Sequence, residues 1–389
     1  MKTKHLFLPI LTGVLCAAAA HANEDITITG STACRRIMYD RAATLFDPGF
    51  TTQGGALAFN NTANQITASG TMSNAIPSLG ATPVTLRFAM SGANQGAQDL
   101  YNSNPLATKD PVTGFNSNQI PSLAFFDQFP EASVPSIPSS GLTANSNLLV
   151  LPFVFFKNPG GPGGMTGVTN ITKEQTIMLM NSSGVIAGFD SMKPDFLGGT
   201  TNGGPVYFLG RDAGSGTRIE VLKCVGFTGI PRQYATNSLG ALVNSTLTSG
   251  SNGVAVGGNG YSSGGTLCKV VAGITANNCI GYAGESDASS GNGITTGEWL
   301  SYEGIFPTHD AVANGRYPIW GYEHLLARAG SLSANQAAIK DAFVAAMTNP
   351  GYQATNNTVF RPNAVALGEM KVKRGVDGGS FTTTPVAGF

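Results

Sequence analysis

Apolar runs bounded by Gly- and Ser-rich turns recur along the chain and alternate with segments of helical period, the pattern of an α/β layered fold. Asp25 to Thr29 and Val84 to Ala89 read as strands. Each leads through a small-residue turn, Gly30-Ser31-Thr32-Ala33 or Met90-Ser91-Gly92, into helix-like sequence at 36–46 or 97–101. Ser122 to Phe126 is a further strand with Asp127 at its end, and Leu148 to Phe156 is an apolar run long enough to cross between two units. Thr172, Glu174 and Gln175 open a capped helix over 172–180. Ile280 to Ala283 reads as a strand returning the chain to its first unit, and Tyr322 to Arg328 as a helix carrying His324. An amphipathic helix is predicted over 334–347, with Ala338, Ala342, Phe343 and Met347 on one face. The Gly/Ser-rich stretch 241–271 predicts loops and short strands, with 266–271 extended.

One junction carries chemistry. Pro205 to Leu209 has strand character and Ile219 to Cys224 helical spacing; between them lies Gly210-Arg211-Asp212-Ala213-Gly214-Ser215-Gly216-Thr217-Arg218. A strand thus delivers a Gly-rich turn to a helix N-terminus, where unpaired N-H groups and the aligned peptide dipoles favour an anion. Gly214 and Gly216 permit close backbone approach, Ser215 and Thr217 add hydroxyl donors, and Arg211 offers a planar fork suited to two oxyanion oxygens. The plainer reading is a Ser-capped helix beside a solvated arginine. Ligands in α/β folds sit outside the carboxyl ends of strands, so several of these polar turns are expected to share a cleft.

The first 22 residues have the build of an export signal: Lys2 and Lys4, an apolar core from Leu6 to Ala20, then Ala20-His21-Ala22 as a small-x-small cleavage site. A periplasmic or secreted location follows, with no membrane span in the mature chain. Charge is sparse and balanced, 22 basic against 22 acidic residues among 389, which argues against a nucleic-acid or anionic-membrane surface. Four cysteines follow the signal: Cys34, Cys224, Cys268 and Cys279. Cys268 and Cys279 flank a short stretch read as hairpin-like and are the expected disulfide; Cys34 and Cys224 either pair or stay reduced. Two histidines, His309 and His324, and no paired Cys spacing leave no basis for a metal site, and no cofactor is expected. Gly260-Tyr261-Ser262-Ser263-Gly264 matches the Gly-x-Ser-x-Gly nucleophile pattern, but that elbow needs a helix after it. With extended sequence expected there, the chain is read as a non-enzyme without catalytic residues.

Taken in order, Ile28-Thr29-Gly30-Ser31-Thr32, Ser91-Gly92 through Gly96, Phe125-Phe126-Asp127, Leu151-Pro152-Phe153-Val154, Ile171-Thr172, Arg211 through Thr217, Ile280-Gly281-Tyr282 and Tyr317-Pro318-Ile319 resemble the periplasmic phosphate-binding proteins of ABC transporters. These belong to the two-lobed class II solute-binding superfamily. The resemblance implies an α/β fold with the ligand cleft between lobes, lobe one from 23–150 plus 300–389 and lobe two from 151–299. It implies phosphate or a related oxyanion as ligand and an ABC permease as partner. By the same resemblance Arg211 neutralises the anion, Ser215, Gly216 and Thr217 donate from the second lobe, Ser91 donates from the first, and Ser31, Thr32 and Ala33 form the first anion loop. Asp127 matches the aspartate that accepts a hydrogen bond from protonated phosphate. Phe126 stands where the family commonly has a small residue, and the usual Thr-Phe or Thr-Val pair of the first loop is absent. The alternative is an extracellular or cell-surface structural protein that reuses this fold, since fold does not fix function. Low charge and long Gly/Asn/Ser/Thr tracts suit it.

Overall fold

The structure is a computed structural model that describes residues 23–144, 147–161, 163–182, 192–200, 204–237, 242–244, 260–354 and 357–383. The expected signal segment 1–22 lies outside the described residues.

The chain opens with β1 (Glu24–Gly30), α1 (Arg35–Ala43), β2 (Thr51–Gln53), β3 (Gln65–Gly70), β4 (Val84–Ala89) and α2 (Ala93–Asn102). A small hairpin, β5 (Leu106–Lys109) and β6 (Asn116–Gln119), precedes β7 (Leu123–Phe126) and β8 (Leu142–Ala144). The middle of the chain supplies β9 (Leu149–Lys157), β10 (Asn170–Ile171), α3 (Lys173–Ser182), β11 (Val206–Leu209), α4 (Gly216–Val225), β12 (Tyr234–Thr236), β13 (Leu242–Asn244), α5 (Gly264–Gly273), β14 (Asn278–Gly284) and β15 (Trp299–Tyr302). Last come α6 (His309–Ala313), β16 (Trp320–Arg328), α7 (Ala334–Thr348), β17 (Val372–Lys373) and β18 (Thr382–Thr383).

The main sheet runs β13-β12-β11-β14-β9-β16-β7-β1-β4-β3-β2. It has two wings joined by two long antiparallel strands. β9 pairs with β16 through Leu149 to Pro152 and with β14 through Phe153 to Lys157. β16 reciprocates, pairing with β9 through Trp320 to Glu323 and with β7 through His324 to Ala327. Each strand therefore spends half its length in each wing. The apolar run of β9 is buried in eight of its nine positions, as a strand covered on both faces must be. In the first wing β1 lies parallel between β4 and β7, so the turns after all three strands open on one edge. In the second wing β11 and β14 are parallel and present their turns likewise.

Several elements depart from the sequence reading. Tyr322 to Arg328 is strand, not helix: Glu, Leu, Ala and Arg favour a helix locally, but pairing with β9, β7 and β8 overrides that preference. Residues 266–271 are helix, not strand. Ser263 caps α5 by accepting from the Thr266 amide, and Leu267, Cys268 and Val271 bury one face against Cys279 and Ile294. The stretch between Cys268 and Cys279 is accordingly no hairpin, and the expected disulfide is not formed; all four thiols are free. Ile280 to Ala283 stays in the second wing, between β11 and β9; β16 makes the return instead. On α7 the fully buried side chains are Ile339, Phe343 and Met347, with Ala338 and Ala342 half-covered beside them. Its start carries a full capping box, Ser333 with Gln336.

Candidate functional site

The Arg211 turn is built against a second segment. Arg211 makes a parallel bridge with Tyr261, closed by the Tyr261 amide donating to Gly210 O at 3.0 Å and the Asp212 amide to Tyr261 O at 3.1 Å. The side chain, 1% exposed, donates from Nε to Tyr261 O at 3.0 Å and from Nη2 to Ser262 O at 2.7 Å. Those bonds fix the guanidinium plane. Nη1 is buried with no hydrogen-bond partner.

Ser215 caps α4, its hydroxyl accepting from the Arg218 amide at 3.3 Å. The first turn of that helix faces Asp127, one residue beyond β7 in the opposite wing. The Thr217 hydroxyl donates to Asp127 Oδ2 at 3.1 Å, while Oδ1 is buried and has no partner. A Cβ on Gly216 would stand 1.8 Å from Asp127 Oδ1, so only glycine lets helix and carboxyl meet. Burial raises the Asp127 pKa to about 6, against the opposing pull of Arg211 and the Thr217 hydroxyl.

The first loop arrives at the same place. Gly30 has φ +108°, and a Cβ there would lie 1.9 Å from Phe125 O, so the chain leaves β1 by a turn that glycine alone takes comfortably. The Ser31 amide donates to Phe125 O at 2.8 Å and the Ala33 amide to Ser31 Oγ at 3.2 Å. Thr32 Oγ1 is buried without a partner. Ala33 O accepts from the Ser286 hydroxyl at 2.9 Å, tying this loop to the end of β14. Ser91 behaves differently: its hydroxyl is engaged within its own wing, by Thr29 Oγ1 at 3.0 Å and Asp99 Oδ2 at 3.4 Å. Its neighbours touch the other wing instead, the Gln95 amide donating to Gly214 O at 3.1 Å.

Three groups at this junction were not foreseen. Glu323 is fully buried at the point where β16 passes from β9 to β7. Burial and the nearby Asp127 carboxyl push its pKa well above the usual carboxylate range, with Cys34 and Ser31 opposing. That shift favours the protonated carboxyl, which is a donor. Asp287, 3% exposed, follows β14 and has Oδ2 without a partner; burial raises its pKa while Arg35 and Arg211 pull it down. Arg35, 3% exposed, opens α1 and bonds Asn64 Oδ1, leaving Nε unpartnered. A lone acid in the apolar run Tyr322-Glu323-His324-Leu325, and an acid just past a strand end, were the available signals.

The Gly-x-Ser-x-Gly segment does precede a helix, since Ser263 caps α5. Ser262 contributes its carbonyl to Arg211, and the two histidines are engaged elsewhere: His309 with Glu285 at 2.8 Å, His324 against Phe129 with ring centroids 5.0 Å apart. Among the described residues no cluster of three or more His, Cys, Asp or Glu is placed to hold a metal ion, and no helix is long and apolar enough to cross a membrane.

No protein-family description matches the chain. No curated protein matches it in sequence. Solved structures do match in fold. A protein from Clostridium perfringens, assigned as a phosphate ABC transporter substrate-binding protein and solved with bound phosphate, superposes with a TM-score of 0.53 at 14% identity, covering 88% of this chain and all (100%) of its own. An ABC-type phosphate transport receptor from Vibrio cholerae gives 0.45 at 17% identity, over 82% and 93% of the two chains. A phosphate-binding protein from Stenotrophomonas maltophilia gives 0.46 at 15%, over 88% and 90%. At these identities the likeness is one of fold: the chain has the α/β, two-lobed architecture of the Clostridium perfringens protein, with β9 and β16 as its crossing strands.

Proposed function

We propose that this is an exported, non-enzymatic solute-binding protein that captures phosphate, or a similar tetrahedral oxyanion, between its lobes and presents the closed form to an ABC permease. The observation that carries this reading is the unpartnered Nη1 of a buried, immobilised Arg211, set in a junction that also holds the α4 N-terminus, Thr32 Oγ1 and Asp127. A buried guanidinium edge left without an acceptor costs free energy unless a ligand supplies one. Arg211 provides the counter-charge; Ser215, Gly216 and Thr217 provide amides and hydroxyls; Ser31, Thr32 and Ala33 close the opposite side. Ser91 holds its loop in place through Thr29. Lobe one comprises 23–150 and 300–389, lobe two 151–299. The location is periplasmic or secreted, on the strength of the leader-like first 22 residues.

Asp127 sets the selectivity. An ionised carboxylate repels an oxyanion unless a proton lies between them; phosphate near neutral pH carries one, and sulfate does not. Three or four charge-assisted bonds of about 1.5 to 3 kcal/mol each suffice, after desolvation, for the roughly 8 kcal/mol of micromolar binding.

One observation favours the second reading, a structural or interaction protein on the same fold: Asp127 itself already lies against the α4 N-terminus, as an internal anion. Calorimetric titration of the mature chain with phosphate, arsenate, vanadate and sulfate separates the two. Micromolar phosphate binding, with sulfate at least tenfold weaker at pH 8, supports capture. The absence of heat with every anion supports the structural reading.

A further inference from the structure

Beside the Arg211 turn lies a second polar pocket of about 210 Å³, lined by Arg35, Asn64, Ser263, Lys269, Asp287 and Asn292 among others. It draws on both wings: Arg35 opens α1 and Asn64 directly precedes β3, Ser263 caps α5 and Lys269 lies on it, and Asp287 and Asn292 come from the segment after β14. Two of its walls are charged side chains almost wholly removed from water, each with a polar atom left over, Nε of Arg35 and Oδ2 of Asp287. Arg35 is held by its Nη1 donating to Asn64 Oδ1, and the backbone of Asp287 is held by Asn292 Nδ2 donating to its carbonyl oxygen at 2.8 Å. Buried polar groups are normally paired. Two orphans of opposite sign on residues that line one cavity therefore point to a guest that offers both an acceptor and a donor.

The pocket adjoins the proposed phosphate cradle. A Cβ on Gly264 would stand 2.2 Å from Asp287 Oδ2 and 3.2 Å from Arg211 Nη1, so Asp287 and the unpaired guanidinium edge come together at a residue that puts no side chain between them. Gly265 is similarly bare, its Cβ position 3.2 Å from Asn292 Nδ2. These glycines open the ten-residue helix α5, whose N-terminal amides add to the positive potential. The volume is below the roughly 300–1,000 Å³ of pockets for drug-sized ligands, which limits the guest here to a few heavy atoms. Inorganic phosphate would fill the cradle and leave this space and its orphans unused.

Resting on the capture reading above, we infer that the ligand is a small phosphomonoester carrying a carboxylate and a hydroxyl: its phosphoryl group sits against Arg211 and Thr217, its carboxylate against Arg35 and Lys269, and its hydroxyl donates to Asp287. Two cations against one acid make the pocket net positive, which fits an acidic arm better than a neutral one.

The test is calorimetric titration of the full mature chain with inorganic phosphate, glycerol 3-phosphate and 3-phosphoglycerate, repeated on Lys269→Gln. Lys269 is an exposed residue of α5, so the variant folds. The expected order is 3-phosphoglycerate at least tenfold tighter than glycerol 3-phosphate and phosphate, with Lys269→Gln weakening 3-phosphoglycerate about tenfold and changing phosphate less than twofold. Phosphate binding as tightly as both esters, or Lys269→Gln weakening all three alike, overturns the inference while leaving oxyanion capture intact. No binding of any of the three overturns both.

Discussion

The Thr217 hydroxyl lies 3.1 Å from Asp127 Oδ2 and donates to it, so the first turn of α4 in one wing is fastened to the end of β7 in the other. That bond places a titratable carboxyl at a helix N-terminus, where its charge bears on the contact between the wings. Replacing Asp127 by Asn removes the negative charge and keeps the shape. Sulfate affinity is expected to rise at least tenfold in Asp127→Asn, with phosphate changing much less, as measured by competition calorimetry at pH 8.

The pH dependence follows from the same group. Its folded pKa, about 6, lies above the ordinary 3.8, so between those values the folded state holds the proton more tightly than the unfolded chain. Its contribution to stability is therefore favourable at low pH and declines as pH rises through about 4 to 6, by about 1 to 3 kcal/mol at 1.36 kcal/mol per pKa unit. Asp127→Asn should flatten this part of the profile and be the more stable form at pH 8. Ligand-free urea unfolding at pH 5 and pH 8, compared between the two proteins, checks it; an identical pH slope in both would exclude Asp127 as the source. Sulfate discrimination by the unaltered protein should also weaken below pH 6, where Asp127 carries its own proton.

Arg211→Ala should abolish oxyanion binding, at least a hundredfold, because the unpartnered guanidinium edge beside the α4 N-terminus goes with it. Arg211→Lys should also lose at least tenfold, since a compact ammonium lacks the planar fork that reaches Tyr261 O and Ser262 O and still aims an N-H at the anion. Far-UV circular dichroism on each variant tests that the fold persists. Normal binding by Arg211→Ala would sink the site assignment.

Gly216→Ala tests the packing of helix against carboxyl. With Cβ 1.8 Å from Asp127 Oδ1 and 2.7 Å from the Ala93 methyl, one of the wings must yield. A loss of about 1 to 3 kcal/mol is expected from overpacking, together with weakened binding. A thermal melt indistinguishable from that of the parent would contradict this packing.

Away from the cleft, Arg374 stacks over Trp320, 3.9 Å from the ring centroid, and lies 4.0 Å from the fully buried Glu220. Burial and its neighbour Asp377 push the Glu220 pKa well above the usual carboxylate range, against the pull of Arg374. Arg374→Met should cost about 3 to 5 kcal/mol, because it strips the cation from a buried acidic pair. Chemical denaturation near neutral pH measures this, and a loss below 1 kcal/mol would show that the pair needs no counter-ion.

The sequence by itself determined those parts whose cause is local. The apolar runs of β1, β4, β9 and β14, the caps of α3 and α7, and the turn from β11 through Arg211 into α4 are all written in a dozen or fewer consecutive residues. Period, capping chemistry and glycine placement fix them without reference to the rest of the chain. Even the local build of the Arg211 turn was legible, because a strand, a Gly-rich turn and a helix start are contiguous.

Only the tertiary structure decided what meets the Arg211 turn. Glu323 enters because β16 changes partners from β9 to β7 at that residue. Asp287 and Arg35 enter because the loops after β14 and β1 meet, the Ser286 hydroxyl donating to Ala33 O, and long-range topology, not nearby sequence, sets such meetings. The same competition made Tyr322 to Arg328 a strand and 266–271 a helix. Local preferences amount to a few tenths of a kcal/mol per residue, whereas pairing on both sides of a central strand and burial of a helix face contribute about 1.5 to 3 kcal/mol for each large apolar side chain. Where the two disagree, the long-range term wins.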